Sequence, residues 1–496
     1  MVNLSAFIAY HARRAPDRVA LIHDGREITY AAFLRRIERL AALLVAKGIE
    51  PGDRVAVFMK NSPAFLEIAF AASHVGAVFL PVNFRLVAEE ADYILDHAGA
   101  RLVFVDAEFA DSVAGREAVI VDADAQADAS VLVPADLAAP PACPRAPDDL
   151  LRLMYTSGTT SRPKGVMISY DNFYWKCASQ VIVLELSRAT RLLAVGPLYH
   201  AATLDLPGIG VLWVGGTICI LRDFSPHAVL GAIQDHRLTG GWLAPVMTGA
   251  VLSYPNRDDY DVSSLQWITA GGERTPEPRV RAFAKQFPNA RYVDAYGLTE
   301  SCSGDTFMEA GREIEKIGSC GPAVPHVEIE IRDDAGNGLP AGQDGEICLR
   351  GPKITKGYWR DPDATAAAID ADGWFRTGDV GHLDADGFLY LTDRKKDMIL
   401  SGGENIASSE VERVLFEMPA VADAAVIGLP DERWGEKPVA VVVLAPGAAL
   451  DHATLEAHCR AHLAGFKVPK ALYIRDDLPR NPSGKVLKRL LRDEYA

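Results

Sequence analysis

The sequence predicts an α/β protein: a large N-terminal domain of layered α/β subdomains with a small β-rich subdomain, then a small α+β C-terminal domain. Three patterns carry that prediction. Short apolar runs alternate with helical patterns from the start of the chain, as in largely parallel sheets layered with helices. After residue 325 or so the pattern changes to short strands separated by Asp-Gly and Gly-Asn turns. From Met398 mixed strands and helices return, and the last ~100 residues suit a separate domain by size.

In chain order, VALIHDG is a strand closed by a turn, and ITYAAFLRRIERLAALLVAKG is an amphipathic helix that stops at Gly48. DRVAVFMKN then leads into the helix AFLEIAFAASHVG, and RLVFVD into a further short unit. The stretch from Ala123 to Asp149 is rich in Ala, Asp and Pro and reads as a surface connection. Leu150 to Tyr155 is a mostly apolar run that enters a loop of small residues, and another apolar strand precedes YGLTES. The β-rich part is VEIEIRDDAGNGLP, GEICLRG and GWFRTGDVGHLDADGFLYLTDR, with Asp379 placed in a turn. SSEVERVLFEM, ADAAVIGL, VAVVVL and LEAHCRAHLAG make up the last domain, and no repeat period is visible.

Composition narrows the function. A chain of 496 residues, 49% hydrophobic and 24% charged, is ordinary globular material for about two to four domains. A net charge of −15 offers no basic excess to release phosphate counterions, which argues against a nucleic-acid binder. Seven cysteines, an odd number without a CxxC pair, fit free thiols in a reducing compartment. The uncharged runs Leu206 to Leu221 and Leu238 to Asn256 are broken by glycine, proline and polar residues. Neither supplies the ~20 apolar residues of a spanning helix. With no signal-peptide pattern at the start, the expectation is a cytoplasmic protein without a membrane span.

The strongest local signal is MYTSGTTSRPKGVMIS. Backbone N–H groups in such a loop can point at phosphate oxygens, and Lys164 adds a point charge. Lys164 follows Pro163 and precedes Gly165, so this is not the Gly-Lys-Ser/Thr loop of common NTPases. Alone, the segment could be a surface turn. Thr299 and Glu300 follow an apolar strand, where a single carboxylate beside phosphates suits Mg²⁺; otherwise Glu300 is an exposed loop acid. Asp379 in GWFRTGDVG could accept from both hydroxyls of a ribose, or be an ordinary Asx-turn residue. DRKKDMILSGGENI by itself is a charged hairpin or linker, and Lys485 in PRNPSGKVLKR a solvated lysine.

Together and in order, TSGTTSRPKG, PLYH, TAGGE, YGLTE, RTGD, DRKKDMILSGGENI and NPSGK resemble the adenylate-forming superfamily, in its acyl- and aryl-CoA ligase branch. The resemblance covers essentially the whole chain. It implies an N-terminal domain of residues 1–395 and a mobile C-terminal domain of 396–496, with Lys396 at the hinge. It implies that Thr156, Ser157, Gly158, Thr159, Thr160 and Lys164 bind the triphosphate. Gly271, Gly272 and Glu273, with Asp294, Ala295 and Tyr296, would contact the adenine side. Thr299 would touch the α-phosphate and Glu300 hold Mg²⁺, Asp379 and Arg394 would take the ribose, and Lys485 would reach the carboxylate and α-phosphate. His200 would flank the substrate carboxylate. For coenzyme A the matching positions are Arg85, Trp434, Phe466 and Lys467, with Gly403 lining the pantetheine tunnel.

The implied reaction is ATP-dependent formation of an acyl-adenylate from a small-molecule carboxylic acid, then thioester formation with coenzyme A. A carboxylate attacking the α-phosphorus joins two anions, so a cation such as Lys485 and Mg²⁺ must offset charge. A thiol with a pKa near ~8.5 is already partly thiolate at neutral pH, so a dedicated base is optional. Loading of a carrier protein, a ligase specialised for the second half-reaction, and a silent nucleotide-binding paralogue are the competing expectations; a homodimer is left open. Ala201, Ala202, Leu204, Leu206, Gly208 and Gly210 around His200 suggest room for a bulky apolar acid, aromatic or medium to long acyl, to which Asp205 adds polarity. Three departures stand out: Ser161 in place of the usual loop glycine, Ala407-Ser408 in place of Tyr-Pro, and Glu273-Arg274 in place of Ala-Pro. His458 and His462, four apart beside Cys459, read as a half-exposed helix face rather than a metal site.

Overall fold

The computed structural model describes residues 3–156, 163–271, 275, 277–394, 397–401, 404–431, 433–480 and 486–496, with backbone alone at Arg394 and Asn405. Four sheets organise them. In the first, six strands run in the order Ala118–Val121, Ala100–Asp106, Arg54–Phe58, Val78–Pro81, Leu150–Thr156, Lys164–Ser169. All its pairs are parallel except the last, an antiparallel hairpin of Leu150–Thr156 with Lys164–Ser169. The second has eight strands and a parallel interior, closed by antiparallel edges at Arg26–Thr29 and Thr306–Phe307.

Helix Pro63–His74 is buried along its whole length, which is why its sequence is apolar almost all round. Its one charged side chain in the middle, Glu67, meets Arg36 Nη1 at 2.8 Å, and burial pushes the carboxyl up to about 7. The amphipathic helix Tyr30–Ala46 packs beside it, burying Phe33, Ile37, Leu40 and Leu44, and leaves its other face partly exposed.

The third sheet is antiparallel: Glu328–Arg332, Gly345–Arg350, Phe375–Leu383 and Leu389–Arg394. It matches the expected β-rich part. The fourth joins Glu404–Ile406, Ile399–Ser401, Gly435–Leu444 and Val421–Asp431, with Leu472–Arg475 parallel to Gly435–Leu444. Both of its faces are covered. Ile399, Val414, Val426, Val442 and Leu455 form one core, and Ile427, Val439, Val441 and Leu491 the other. Two-sided burial explains the uninterrupted apolar run VAVVVL.

Three local expectations are corrected. Ile28 and Thr29 belong to a strand, and Thr29 caps the helix that starts at Tyr30 by accepting from Ala32 N–H at 3.2 Å. The connection from Ala123 holds a short helix, Ala123–Ala127, and a 3₁₀ turn, Ala129–Leu132, because Asp122 and Asp128 each supply an N-cap. Asp379 sits within the strand Phe375–Leu383 rather than in a turn, one residue after Gly378 at φ 71°. Among the described residues no helix is long and apolar enough to cross a membrane.

Candidate active site

The 150–156 and 164–169 strands form a hairpin in which Thr156 faces Lys164 across the ladder. The expected phosphate loop therefore bridges two antiparallel strands instead of entering a helix. Lys164 Nζ lies 5.1 Å from the centre of the Tyr358 ring. Tyr358 O–H in turn donates to Glu300 Oε1 at 3.1 Å.

Glu300 and Thr299 ride on a loop between the strands Arg291–Tyr296 and Thr306–Phe307, which pair antiparallel at Ala295↔Phe307 and Tyr296↔Thr306. At the base of that loop Tyr296 O–H donates to Asp379 Oδ2 at 2.9 Å, and both residues are buried. Burial holds the Tyr296 phenol well above its ordinary pKa, with the Asp379 charge acting in the same direction, so it stays a donor. Asp379 stands opposite Arg394 in the third sheet, so register alone brings these two expected ribose residues to one place. The strand Trp267–Ala270 runs parallel beside Arg291–Tyr296, with Ala270 opposite Asp294. A Cβ on Gly271 would stand 2.5 Å from Ala295 O, so glycine is needed there.

Two contact sets result, Asp379 with Tyr296 and Glu300 with Tyr358 and Lys164, joined along the chain by the segment from Tyr296 to Glu300. Ser157, Gly158, Thr159, Thr160, Ser161, Gly272, Glu273, Arg274, Lys396, Gly403 and Lys485 lie outside the described residues, as does the side chain of Arg394.

His200 caps the short helix Ala201–Asp205, its Nδ1 accepting from Ala202 N–H at 3.1 Å. It is only partly shielded from solvent, yet desolvation by the surrounding protein lowers its pKa to about 4 from 6.5, against a smaller opposing effect of Asp205. The ring is neutral at physiological pH. The folded value lies below the unfolded one, so His200 costs stability as pH falls from 6.5 toward 4. A His200→Asn variant should accordingly change KM for the acid by the same factor at pH 6 and pH 8. A factor that changes between those pH values would show an imidazole titrating there.

Arg85 is exposed, its guanidinium 5.5 Å from the Phe84 ring. Trp434 is 44% and Phe466 40% exposed. The Arg433 guanidinium lies 4.5 Å from the Trp434 ring, and Lys467 Nζ donates to both Glu410 oxygens at 2.6 and 2.8 Å. Each ring is exposed with a cation over it, Arg433 at Trp434 and, at 5.7 Å, Lys467 at Phe466.

The profile of the family described as AMP-binding enzyme matches residues 8–359, and that of the AMP-binding enzyme C-terminal domain matches residues 410–485. The chain belongs to the AMP-binding enzyme family. Feruloyl-CoA synthase from Amycolatopsis sp is 40% identical over 100% of this chain and 99% of the relative. Indoleacetate–CoA ligase from Aromatoleum aromaticum is 36% identical over 100% of this chain and 98% of the relative. Among solved structures, o-succinylbenzoate CoA synthetase from Bacillus subtilis with its acyl-adenylate intermediate superposes with a TM-score of 0.89 at 31% identity, covering 98% of each chain. The same synthetase with ATP and magnesium ion gives 0.88 at 31% identity, over 98% of this chain and 99% of that one.

Within this family framework the fold adds side chains that the motifs did not reveal. Asp205, expected to add polarity to the acyl pocket, is instead engaged by buried cations. Arg152 Nη1 meets Asp205 Oδ1 at 2.8 Å and its Nη2 meets Oδ2, while Lys176 Nζ lies 3.4 Å from Oδ1. Arg152 Nη2 also reaches Cys302 Sγ at 3.4 Å. A second buried pair joins Lys353 to Asp305 at 2.7 Å. The available signals were an arginine inside the apolar run LLRLMYT and a lysine amid aromatic residues in NFYWKC. On the helix His452–His462 Cys459 is buried in the core, and Glu417, in the turn after the helix Ser408–Leu415, comes beside His458 and His462 with donor atoms within 4.8 Å of one another.

Proposed function

We propose that this chain is an AMP-forming acid–thiol ligase that activates a bulky apolar carboxylic acid with ATP and transfers the acyl group to coenzyme A. The two contact sets Asp379–Tyr296 and Glu300–Tyr358–Lys164 carry this reading, because the loop after Tyr296 joins the expected ribose carboxylate to the expected metal carboxylate and phosphate lysine. Asp379 accepts from the ribose hydroxyls, held in place by Tyr296. Lys164 and the loop after Thr156 take the β- and γ-phosphates, Thr299 the α-phosphate, and Gly271 with Ala295 the adenine edge.

Glu300 suits Mg²⁺ by donor chemistry: one carboxylate beside phosphates, its position fixed by the Tyr358 hydroxyl. Bound there with ATP, Mg²⁺ supplies neutralisation of phosphate charge. The remaining work falls to the chain. Lys485 balances the negative charge that builds as the carboxylate oxygen attacks the α-phosphorus and pyrophosphate leaves. Neutral His200 flanks the carboxylate without competing for its charge.

For the second step we assign residues 396–496 to a domain that turns about Lys396, bringing Gly403, Trp434, Phe466 and Lys467 to the site. The CoA sulfur attacks the acyl carbonyl, and AMP departs with the former carboxylate oxygen. Exposed Trp434 and Phe466 suit an adenine plane, and Arg85 and Lys467 its phosphates, which favours free coenzyme A over a carrier protein. All seven cysteines are free, which fits a reducing cytoplasmic setting.

Small residues beside His200 and the feruloyl and indoleacetate relatives both favour an aromatic acid. Across a panel of hydroxycinnamic, indolic, medium-chain and short-chain acids, kcat/KM for AMP release should peak with an aryl or bulky acyl acid. A preference for acetate or propionate would overturn the pocket reading.

A further inference from the structure

The loop carrying Thr299 and Glu300 ends in an unusual turn. Cys302, Ser303 and Gly304 are three consecutive left-handed residues, with φ 57°, 63° and 68°. Only the last is glycine, so two L side chains hold a conformation they rarely adopt. The turn must double back tightly enough for Asp305 N–H to donate to Tyr296 O at 2.7 Å, and a Cβ on Gly297 would stand 2.3 Å from Gly304 N. On its outer side a Cβ at Gly304 would lie 2.8 Å from Leu206 Cδ1, on the segment that follows His200 and its helix. The same turn therefore fixes Thr299 and Glu300 and closes against the segment read as the acyl pocket.

What holds it is a buried ammonium. Lys353 is 1% exposed, and its Nζ donates to Ser303 O at 2.8 Å, to Gly304 O at 2.7 Å and to Asp305 Oδ1 at 2.7 Å. All three ammonium protons are used, one on the carbonyl of strained Ser303 and one on that of Gly304 beside it. Asp305 is locked from the other side by Ser301 Oγ–H, and Ser301 Oγ also accepts from Leu298 N–H at 3.1 Å.

Lys353 is the first of three contacts made by one strap of chain. Thr355 N–H donates to Glu300 O at 2.7 Å, and Tyr358 O–H donates to the Glu300 carboxylate. The strap is itself anchored. Asn172 Nδ2 donates to Pro352 O and Ile354 O, both at 2.8 Å, and Trp359 N–H donates to Gly165 O at 2.7 Å, beside Lys164.

We propose that Lys353 is a positioning residue for adenylation: it clamps the Cys302–Gly304 turn and so presets Thr299, Glu300 and the Leu206 side of the acyl pocket. The inference rests on the reading of Thr299 and Glu300 given above. Without the clamp the turn relaxes, and the fraction of molecules with a competent loop falls; apparent affinity falls by that same fraction.

The test uses the full chain and two readouts. One is calorimetric binding of the sulfamoyl-adenosine analogue of the best acid. The other is the pair of KM values for acid in adenylation and for coenzyme A with preformed adenylate. Lys353→Met keeps the aliphatic stem but orphans Asp305, so Lys353→Met/Asp305→Asn is made beside it to restore charge balance. For both variants the analogue Kd and the acid KM should rise about tenfold or more, with KM for coenzyme A within twofold of native. Native Kd and acid KM in the double variant would mean that Lys353 only neutralises Asp305, and would overturn the clamp. Thr299→Val and Glu300→Gln separate the two levels. If they weaken analogue and Mg²⁺-ATP binding while the Lys353 variants do not, the clamp fails and the site stands. If they bind both as the native chain does, the site reading itself fails.

Discussion

Lys485→Ala should lower acid-dependent pyrophosphate release by about 10²–10³-fold or more, while thioester formation from a synthetic acyl-adenylate and coenzyme A stays within a few-fold of native. The asymmetry follows from where charge develops. In the first step a carboxylate approaches a polyphosphate, and a cation aimed at the α-phosphate stabilises the transition state more than the ground state. In the second, a thiolate meets an activated mixed anhydride from which AMP leaves as a stabilised phosphate dianion, and on the domain rotation proposed above Lys485 no longer faces the site. Both half-reactions would be measured on one preparation, so misfolding is visible as loss of the second. Equal loss of both with intact folding would contradict an adenylation-only role.

Asp379→Ala should reduce kcat/KM for ATP by about 10²–10³-fold. Two ribose hydroxyls donating to one carboxylate are charge-assisted hydrogen bonds of about 1.5–3 kcal/mol each. The variant also removes the partner of Tyr296 O–H, 2.9 Å away and buried, at the base of the loop that carries Thr299 and Glu300. Asp379→Asn preserves an acceptor for Tyr296 and should lose less. If neither substitution lowers kcat/KM for ATP, Asp379 does not hold the ribose.

The fold class was legible because its signals are local and periodic. The alternation of VALIHDG with the Tyr30–Ala46 helix, the hairpin turns after residue 325 and the two-sided strand VAVVVL each leave a pattern in consecutive residues. Lys164, Glu300, Tyr296 and Asp379 could be singled out in the sequence because they sit in short ordered motifs. Their assembly was not, since it depends on register. Asp379 meets Arg394 through strand pairing, and meets Tyr296 through the approach of two different sheets. Tyr358 and Lys353 escaped notice because their partners lie 58 and 48 residues away, and GPKITKGYW reads alone as an unremarkable loop. Asp205 was misread for the same reason. In TLDLPG it resembles a pocket residue, and only the packing of Arg152 and Lys176 beneath it shows where its charge is spent.

The central claim is that the carboxylate itself attacks the α-phosphorus of ATP. A carboxylic acid labelled with ¹⁸O in both oxygens, turned over with ATP, Mg²⁺ and coenzyme A, tests it in one mass spectrum. One labelled oxygen should appear in AMP and the other in the thioester carbonyl, with pyrophosphate unlabelled. Label in orthophosphate with ADP as the nucleotide product, or unlabelled AMP, would contradict it.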